Sequence, residues 1–189
     1  MTIPSNYNEL PVNLPVPVDD GATRHLKGMR LPSFNLEATN GKIINLGEIH
    51  TRLVIYCYPM TGQPNVALPE GWDQIPGARG CTPQSCSYRD HYQELCDLGA
   101  EVVGLSVQTT HYQKEMADRL HLPFPIVSDA RYEFQKALNI PTFEAAGMTL
   151  LKRVTLIANH GVIEAVHYPI FPSDSDAPWV IRYFKTHTA

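Results

Sequence analysis

Three short apolar runs frame this chain: Leu53 to Tyr58, Glu101 to Val107 and Phe124 to Val127. Each has the length of a strand, and the first two are unbroken in the manner of strands covered on both faces. Pro59 ends the first. Helix-competent segments separate them. The run from Ser85 to Leu98 lacks Pro and Gly and is closed by Gly99. Thr110 opens a second helix to about Leu120, and Ser128-Asp129 caps a third to about Asn139. Alternation of this kind predicts an α/β sandwich with parallel strands joined by right-handed crossovers.

Turn signals at both ends add hairpins. Thr39-Asn40-Gly41 lies between Arg30–Leu36 and Lys42–Leu46, and Asn-Gly is a strong tight-turn dipeptide. Asn159-His160-Gly161 lies between Leu150–Ile157 and Val162–Tyr168. The stretch from Ser173 to about Thr186 predicts a closing helix, with Trp179, Tyr183 and Phe184 to pack it. Residues 1–25 predict an N-terminal extension. Pro4, Pro11, Pro15 and Pro17 break any helix there, and Asp19-Asp20-Gly21 marks a turn. The extension either lies on its own domain or swaps onto a partner subunit. Residues 26–189 predict a single domain.

The net charge of −4, without a basic block, excludes a nucleic-acid or polybasic membrane contact as the expected role. No run approaches a membrane span, and the start of the chain lacks a secretory h-region. A cytoplasmic protein is expected. Its four cysteines do not make a disulfide scaffold, and in that compartment a close pair points to redox chemistry or a metal.

That pair is Cys81 and Cys86, in Gly80-Cys81-Thr82-Pro83-Gln84-Ser85-Cys86-Ser87-Tyr88-Arg89-Asp90. Thr82 is an acceptable N-cap and Pro83 suits the first helical position. A cysteine at a helix N-terminus meets the positive end of the dipole, which favours a thiolate nucleophile. Residues five apart on an intact helix are separated by about 7.5 Å along the axis. A disulfide usually needs Cα atoms closer than about 7 Å, so the two thiols can pair only after the first turns unwind. Zinc binding is disfavoured because no second Cys/His pair follows at finger-like spacing. Phosphate-loop and dinucleotide fingerprints are absent, and so is Cys-x-x-Cys.

The segment from Pro76 to Asp90 resembles the active-site segment of peroxiredoxins, nearest the Q type, also called bacterioferritin comigratory proteins. Those carry Gly-Cys-Thr-x-x-x-Cys-x-aromatic-Arg-Asp, and a looser resemblance runs over about residues 26–185. It implies a thioredoxin-like fold, with a central mixed sheet flanked by helices. It implies a thiol peroxidase acting on hydrogen peroxide and organic hydroperoxides without metal or flavin. Cys81 would be the peroxidatic cysteine and Cys86 the resolving one, with thioredoxin or a similar dithiol as reductant. Both monomers and homodimers occur among such proteins. Peroxiredoxins also place an arginine at the start of a late strand, reaching the reactive sulfur. Arg153, followed by Val154-Thr155-Leu156-Ile157, matches it, with Lys152 as the register alternative.

Two departures stand out. Peroxiredoxins usually carry Thr or Ser three residues before the reactive cysteine, to help hold the peroxide. Here that residue is Ala78, and Thr61 or Thr82 are the candidate substitutes. Residues 60–75 form an insertion of roughly fifteen residues relative to the motif, and a loop of that kind beside an active site is often functional. Trp72 is expected to pack there, and Arg79 either adds charge near the thiolate or is a solvated loop residue. Cys57 is expected as an inert core thiol, with a second resolving thiol as the alternative. Cys96 is expected as a structural thiol near the apolar stripe, and Arg89-Asp90 as a surface pair or a buried brace, the resemblance favouring a brace near the site. Two rival functions use the same fold: a redox sensor or disulfide-exchange protein, and a non-catalytic binding module.

Overall fold

The computed structural model describes residues 7–187; Pro4 of the extension lies outside them. Its centre is a seven-stranded mixed sheet, with strand order β2 (Ile43–Asn45), β1 (Asn35–Ala38), β5 (Ile126–Ser128), β4 (Ala100–Ser106), β3 (Arg52–Cys57), β8 (Val154–Asn159), β9 (Val162–His167). The apolar runs become β3 (Arg52–Cys57), β4 (Ala100–Ser106) and β5 (Ile126–Ser128), adjacent and parallel. β1 (Asn35–Ala38) and β2 (Ile43–Asn45) form the first hairpin, and β1 pairs antiparallel with β5. β8 (Val154–Asn159) and β9 (Val162–His167) form the last, with β8 antiparallel to β3.

Side chains alternate across the sheet, as a period of two requires. Val54, Tyr56, Ile126 and Ile157 face one core with Tyr88, Leu95, Met116, Val180 and Phe184. Those come from α1 (Cys81–Asp90), α2 (Tyr92–Asp97), α3 (Thr110–Arg119) and α5 (Asp176–Thr186). Leu53, Ile55, Val127 and Leu156 face the other, with Phe134 and Leu138 of α4 (Glu133–Leu138). Leu150 and Leu151 also pack there, from a separate hairpin, β6 (Thr142–Ala145) with β7 (Met148–Leu151). This is a thioredoxin-like α/β sandwich.

Several expected elements shift for local reasons. The helix over 85–98 is two helices, interrupted at His91, whose φ of −101° and ψ of 7° leave the helical region. Its ring bonds the Ser87 carbonyl at 2.8 Å. The third helix begins at Glu133 rather than beside Ser128-Asp129. Asp129 still caps it from a distance, its carboxylate accepting the Phe134 and Gln135 amides at 3.0 and 2.8 Å. The strand expected over 150–157 is split at Lys152-Arg153, because β7 pairs with β6 and β8 with β3. The first hairpin strand starts at Asn35; the residues before it run beside β9, where Arg30 bridges Val162. Cys57 is fully buried, and desolvation pushes its thiol far up, out of reach of nucleophilic chemistry. Cys96 is exposed and is not a core thiol.

Candidate active site

Cys81 is the first residue of α1 and only 4% exposed. Gly80, not Thr82, is the N-cap, with φ at +115°. A Cβ at Gly80 would fall 2.2 Å from Ser173 Oγ, so glycine is required both by conformation and by space. Pro83 consequently sits at the third helical position, where its missing N–H is still one of the orphan donors.

The break between β7 and β8 aims Arg153 inward, and the side chain is 4% exposed. Its Nη2 lies 3.4 Å from Cys81 Sγ and donates to the carbonyls of Gly77, Ala78 and Arg79 at 3.2, 3.0 and 3.3 Å. Nη1 donates to Gln84 Oε1. The guanidinium therefore fixes the segment leading into α1 and presents positive charge to the sulfur. Lys152, the register alternative, turns outward to Asp20 at 2.6 Å.

Gln84 passes the connection on, its Nε2 donating to Asp176 Oδ2 at 2.7 Å. Asp176, fully buried at the start of α5, also accepts from Tyr88 Oη at 2.9 Å and Thr155 Oγ1 at 2.6 Å. His167 Nδ1 lies 2.7 Å from its other oxygen, and that ring stacks on Trp179 at 4.2 Å. One carboxylate thus ties α1, β8, β9 and α5 together. Tyr88, desolvated against it, has its phenol pushed well up and stays protonated. Sequence reading missed Gln84, Tyr88, Asp176 and His167. The available signal was Gln84 one helical turn after the cysteine; nothing local marked Asp176.

Cys86, one turn further on, is half-buried and lies against the apolar cluster with Tyr92. Burial raises its thiol, and Arg89 partly offsets that. α1 is continuous from Cys81 to Asp90, and both thiols are free. Arg89 is no buried brace. It pairs with the exposed Asp90 at 2.9 Å and donates to the Leu120 carbonyl at 3.0 Å.

The insertion and the extension roof the site. Met60, Gly62, Leu68 and Trp72 line a crevice of about 10 Å³ with Tyr7, Cys81 and Thr82. Tyr7 Oη donates to the Val66 carbonyl, and the Arg79 guanidinium lies 5.3 Å from the Tyr7 ring centre. Arg79 is 9% exposed and ion-paired with Asp73 at 3.1 Å, so it is not a solvated loop residue. Trp72 is 3% exposed and contacts Phe143. Ala78 is fully buried. Thr61 is fully buried too, with no partner for its hydroxyl, while its backbone is held by Gln108 and Tyr112.

The profile of the Redoxin family matches residues 26–181, and the chain belongs to that family. It is similar to chloroplastic peroxiredoxin Q of Populus jackii, 30% identical over 142 residues, 75% of this chain and 59% of the relative. The Arabidopsis thaliana peroxiredoxin Q is 26% identical over 84% of this chain and 67% of its own. The chain thus spans about 59% of the Populus protein's length. Among solved structures, peroxidoxin BcpB of Mycobacterium tuberculosis superposes with a TM-score of 0.67 at 20% identity, covering 86% of this chain and 98% of that one. A PrxQ mutant of Xylella fastidiosa gives 0.69 at 18%, covering 86% and 97%. The peroxiredoxin resemblance of the Pro76–Asp90 segment thus agrees with similarity over most of the chain. Among the described residues no helix is long and apolar enough to cross a membrane.

Proposed function

We propose that this chain is a thiol peroxidase. The observation that carries the reading is the Arg153 guanidinium 3.4 Å from a buried sulfur at a helix N-terminus. Cys81 thiolate attacks the distal oxygen of a hydroperoxide and the O–O bond breaks. Sulfur is oxidised to sulfenic acid, and the leaving alkoxide or hydroxide takes a proton to become alcohol or water. Arg153 stabilises the thiolate and the charge developing on the leaving oxygen. The first turns of α1 then unwind. Cys86 thiolate attacks the sulfenic sulfur, forming a disulfide and releasing hydroxide, protonated to water. Thioredoxin or a similar dithiol reduces the disulfide by exchange. The buried, unpartnered hydroxyl of Thr61 is the candidate to take over the role left vacant by Ala78. The compartment proposed is the cytoplasm and the assembly a monomer or homodimer.

The test is reaction of reduced protein with stoichiometric hydrogen peroxide or cumene hydroperoxide, with thiols mapped by mass spectrometry. Rapid loss of peroxide with a Cys81–Cys86 bond is expected. Cys81→Ser should abolish it, and Cys86→Ser should stop it at sulfenic acid. A rate no faster than that of free cysteine with both peroxides would overturn the reading. The fully buried Ala78, with no hydroxyl to offer, favours a second reading: a disulfide-exchange protein. That reading predicts slow peroxide loss and a stable mixed disulfide through Cys81.

A further inference from the structure

The crevice at Cys81 holds about 10 Å³, near the least that a single water needs. Hydrogen peroxide, two oxygens long, requires a slight parting of its walls. A hydroperoxide carrying a ring or a branched chain requires a wall to leave. Met60, Leu68 and Trp72, all from the insertion, make one side apolar. Tyr7 is the part of the lining that comes from the N-terminal extension.

Tyr7 is half-buried. Its Oη donates to the Val66 carbonyl, and the Arg79 guanidinium lies 5.3 Å from its ring centre. The ring is seated on Gly62, where a Cβ would fall 3.0 Å from Cδ1 and Cε1 of Tyr7. Leu10 is seated on Gly80 in the same way, since a Cβ there would fall 2.9 Å from Leu10 Cδ2. Both glycines line the crevice, and the missing side chains make room for the extension beside the reactive sulfur. A neutral hydrogen bond and a cation–π contact at a partly solvated place are each weak. Together they favour the seated ring by about tenfold. Further along, Asp20 ties the extension to Lys152 at 2.6 Å and accepts from Tyr168 Oη at 2.8 Å. A ring that leaves its seat therefore stays tethered close by.

We propose that Tyr7 is a specificity-determining residue of this site. Its seated ring admits hydrogen peroxide to Cys81 and holds back hydroperoxides with a bulky apolar body. Those enter by taking the place of the ring against Met60, Leu68 and Trp72, an apolar wall suited to such a body. The effective affinity for them is reduced to the fraction of molecules with the ring displaced, so the selection is about tenfold and not absolute. The inference rests on the peroxidase reading for its substrate, and on the crevice alone for its size limit.

Methyl and benzyl methanethiosulfonate separate the two. Both turn a thiolate into a mixed disulfide by the same exchange, and they differ in the body they bring. They are used on a Cys86→Ser/Cys96→Ser chain, where Cys81 is the target because Cys57 is fully buried. The ratio of methyl to benzyl rate is expected to fall about tenfold in Tyr7→Ala. It should fall less in Tyr7→Phe, which keeps the ring and loses the bond to Val66. The ratio of hydrogen peroxide to cumene hydroperoxide rates, followed by stopped flow on wild-type and Tyr7→Ala chains, should fall likewise. A merely loosened fold would speed both reagents alike and leave each ratio where it was. An unchanged thiosulfonate ratio would overturn the proposal, and so would an unchanged peroxide ratio in a chain that reduces both peroxides. If the thiosulfonate ratio falls while neither peroxide reacts faster than with free cysteine, the size limit stands and the peroxidase reading alone fails.

Discussion

Cys81 and Cys86 share one helix, yet their surroundings have almost nothing in common. Around Cys81 the chain converges from far away: Arg153 arrives 72 residues later in sequence, and the roof comes from the extension and the insertion. Around Cys86 the dominant influence is apolar cover, with two partly exposed arginines, Arg89 and Arg119, nearby. The first site is built to hold charge, and the second leaves a thiol quiet until it moves. Along α1, Gln84 and Ser85 between the cysteines and Ser87 and Tyr88 just beyond the second are each bonded to another element. The helix that the proposed chemistry unwinds is thus fastened on both sides of Cys86.

The contrast is most directly broken at the arginines. Arg153→Met is expected to slow Cys81 oxidation by about 100- to 1,000-fold, the range for losing one buried charge-stabilising donor. Arg89→Gln is expected to change Cys86 reactivity less than about threefold, since a partly exposed charge already paired with Asp90 is screened. Stopped-flow peroxide kinetics and alkylation rates give the two numbers, and similar effects would erase the distinction.

The fastening is tested next. Asp176→Asn should lower stability by about 3 kcal/mol, because several buried hydrogen bonds end on its charge, and Tyr88→Phe by about 1 kcal/mol. Urea unfolding measures both. If the fastening opposes unwinding, Asp176→Asn also forms the Cys81–Cys86 bond faster once Cys81 is oxidised. A slower bond would mean that Asp176 organises the unwound state instead.

A smaller effect sharpens the comparison at Cys86. Its thiol is raised by burial, so at neutral pH less of it is thiolate than in a free cysteine. In Cys81→Ser, with Cys57 buried and Cys96 replaced by Ser, iodoacetamide labelling of Cys86 should have its midpoint above about 8.5. A midpoint at or below that value would contradict the quiet-thiol description.

The smallest expected effect concerns the roof. Asp20 is lowered from 3.8 to about 2, chiefly by its bond from Lys152 and then by Tyr168. A carboxyl depressed on folding contributes stability above its unfolded value and loses it as pH falls through its folded one. The tether of the extension should therefore hold above pH 3.8 and fade towards about 2. Asp20→Asn should loosen it at neutral pH, seen as sharper amide signals over 17–22.

Much of this organisation was legible in sequence. The strand runs and the Asn-Gly turn announce the sandwich because burial and turn chemistry are local. The motif around Cys81, with Arg153 before a β-rich run, pointed to the pair that the fold brings together. What stayed hidden is tertiary. Lys152-Arg153 lies in a continuous strand-like pattern, and only the choice of partners, β6 for β7 and β3 for β8, splits it. Thr142–Ala145 carries no clear alternation, so its hairpin left no trace. Asp176 resembles any acidic residue opening a helix; its fourfold role depends on four separate elements meeting.

The two tryptophans sit at opposite ends of this arrangement. Trp72 lines the crevice at Cys81, and Trp179 stacks on the His167 ring that bonds Asp176. Indole emission is sensitive to such neighbours, so the molecule carries its own pair of optical probes. Chemistry at the sulfur should register first through Trp72, and release of α1 later through Trp179. A Trp72→Phe chain would then keep only the slower fluorescence phase.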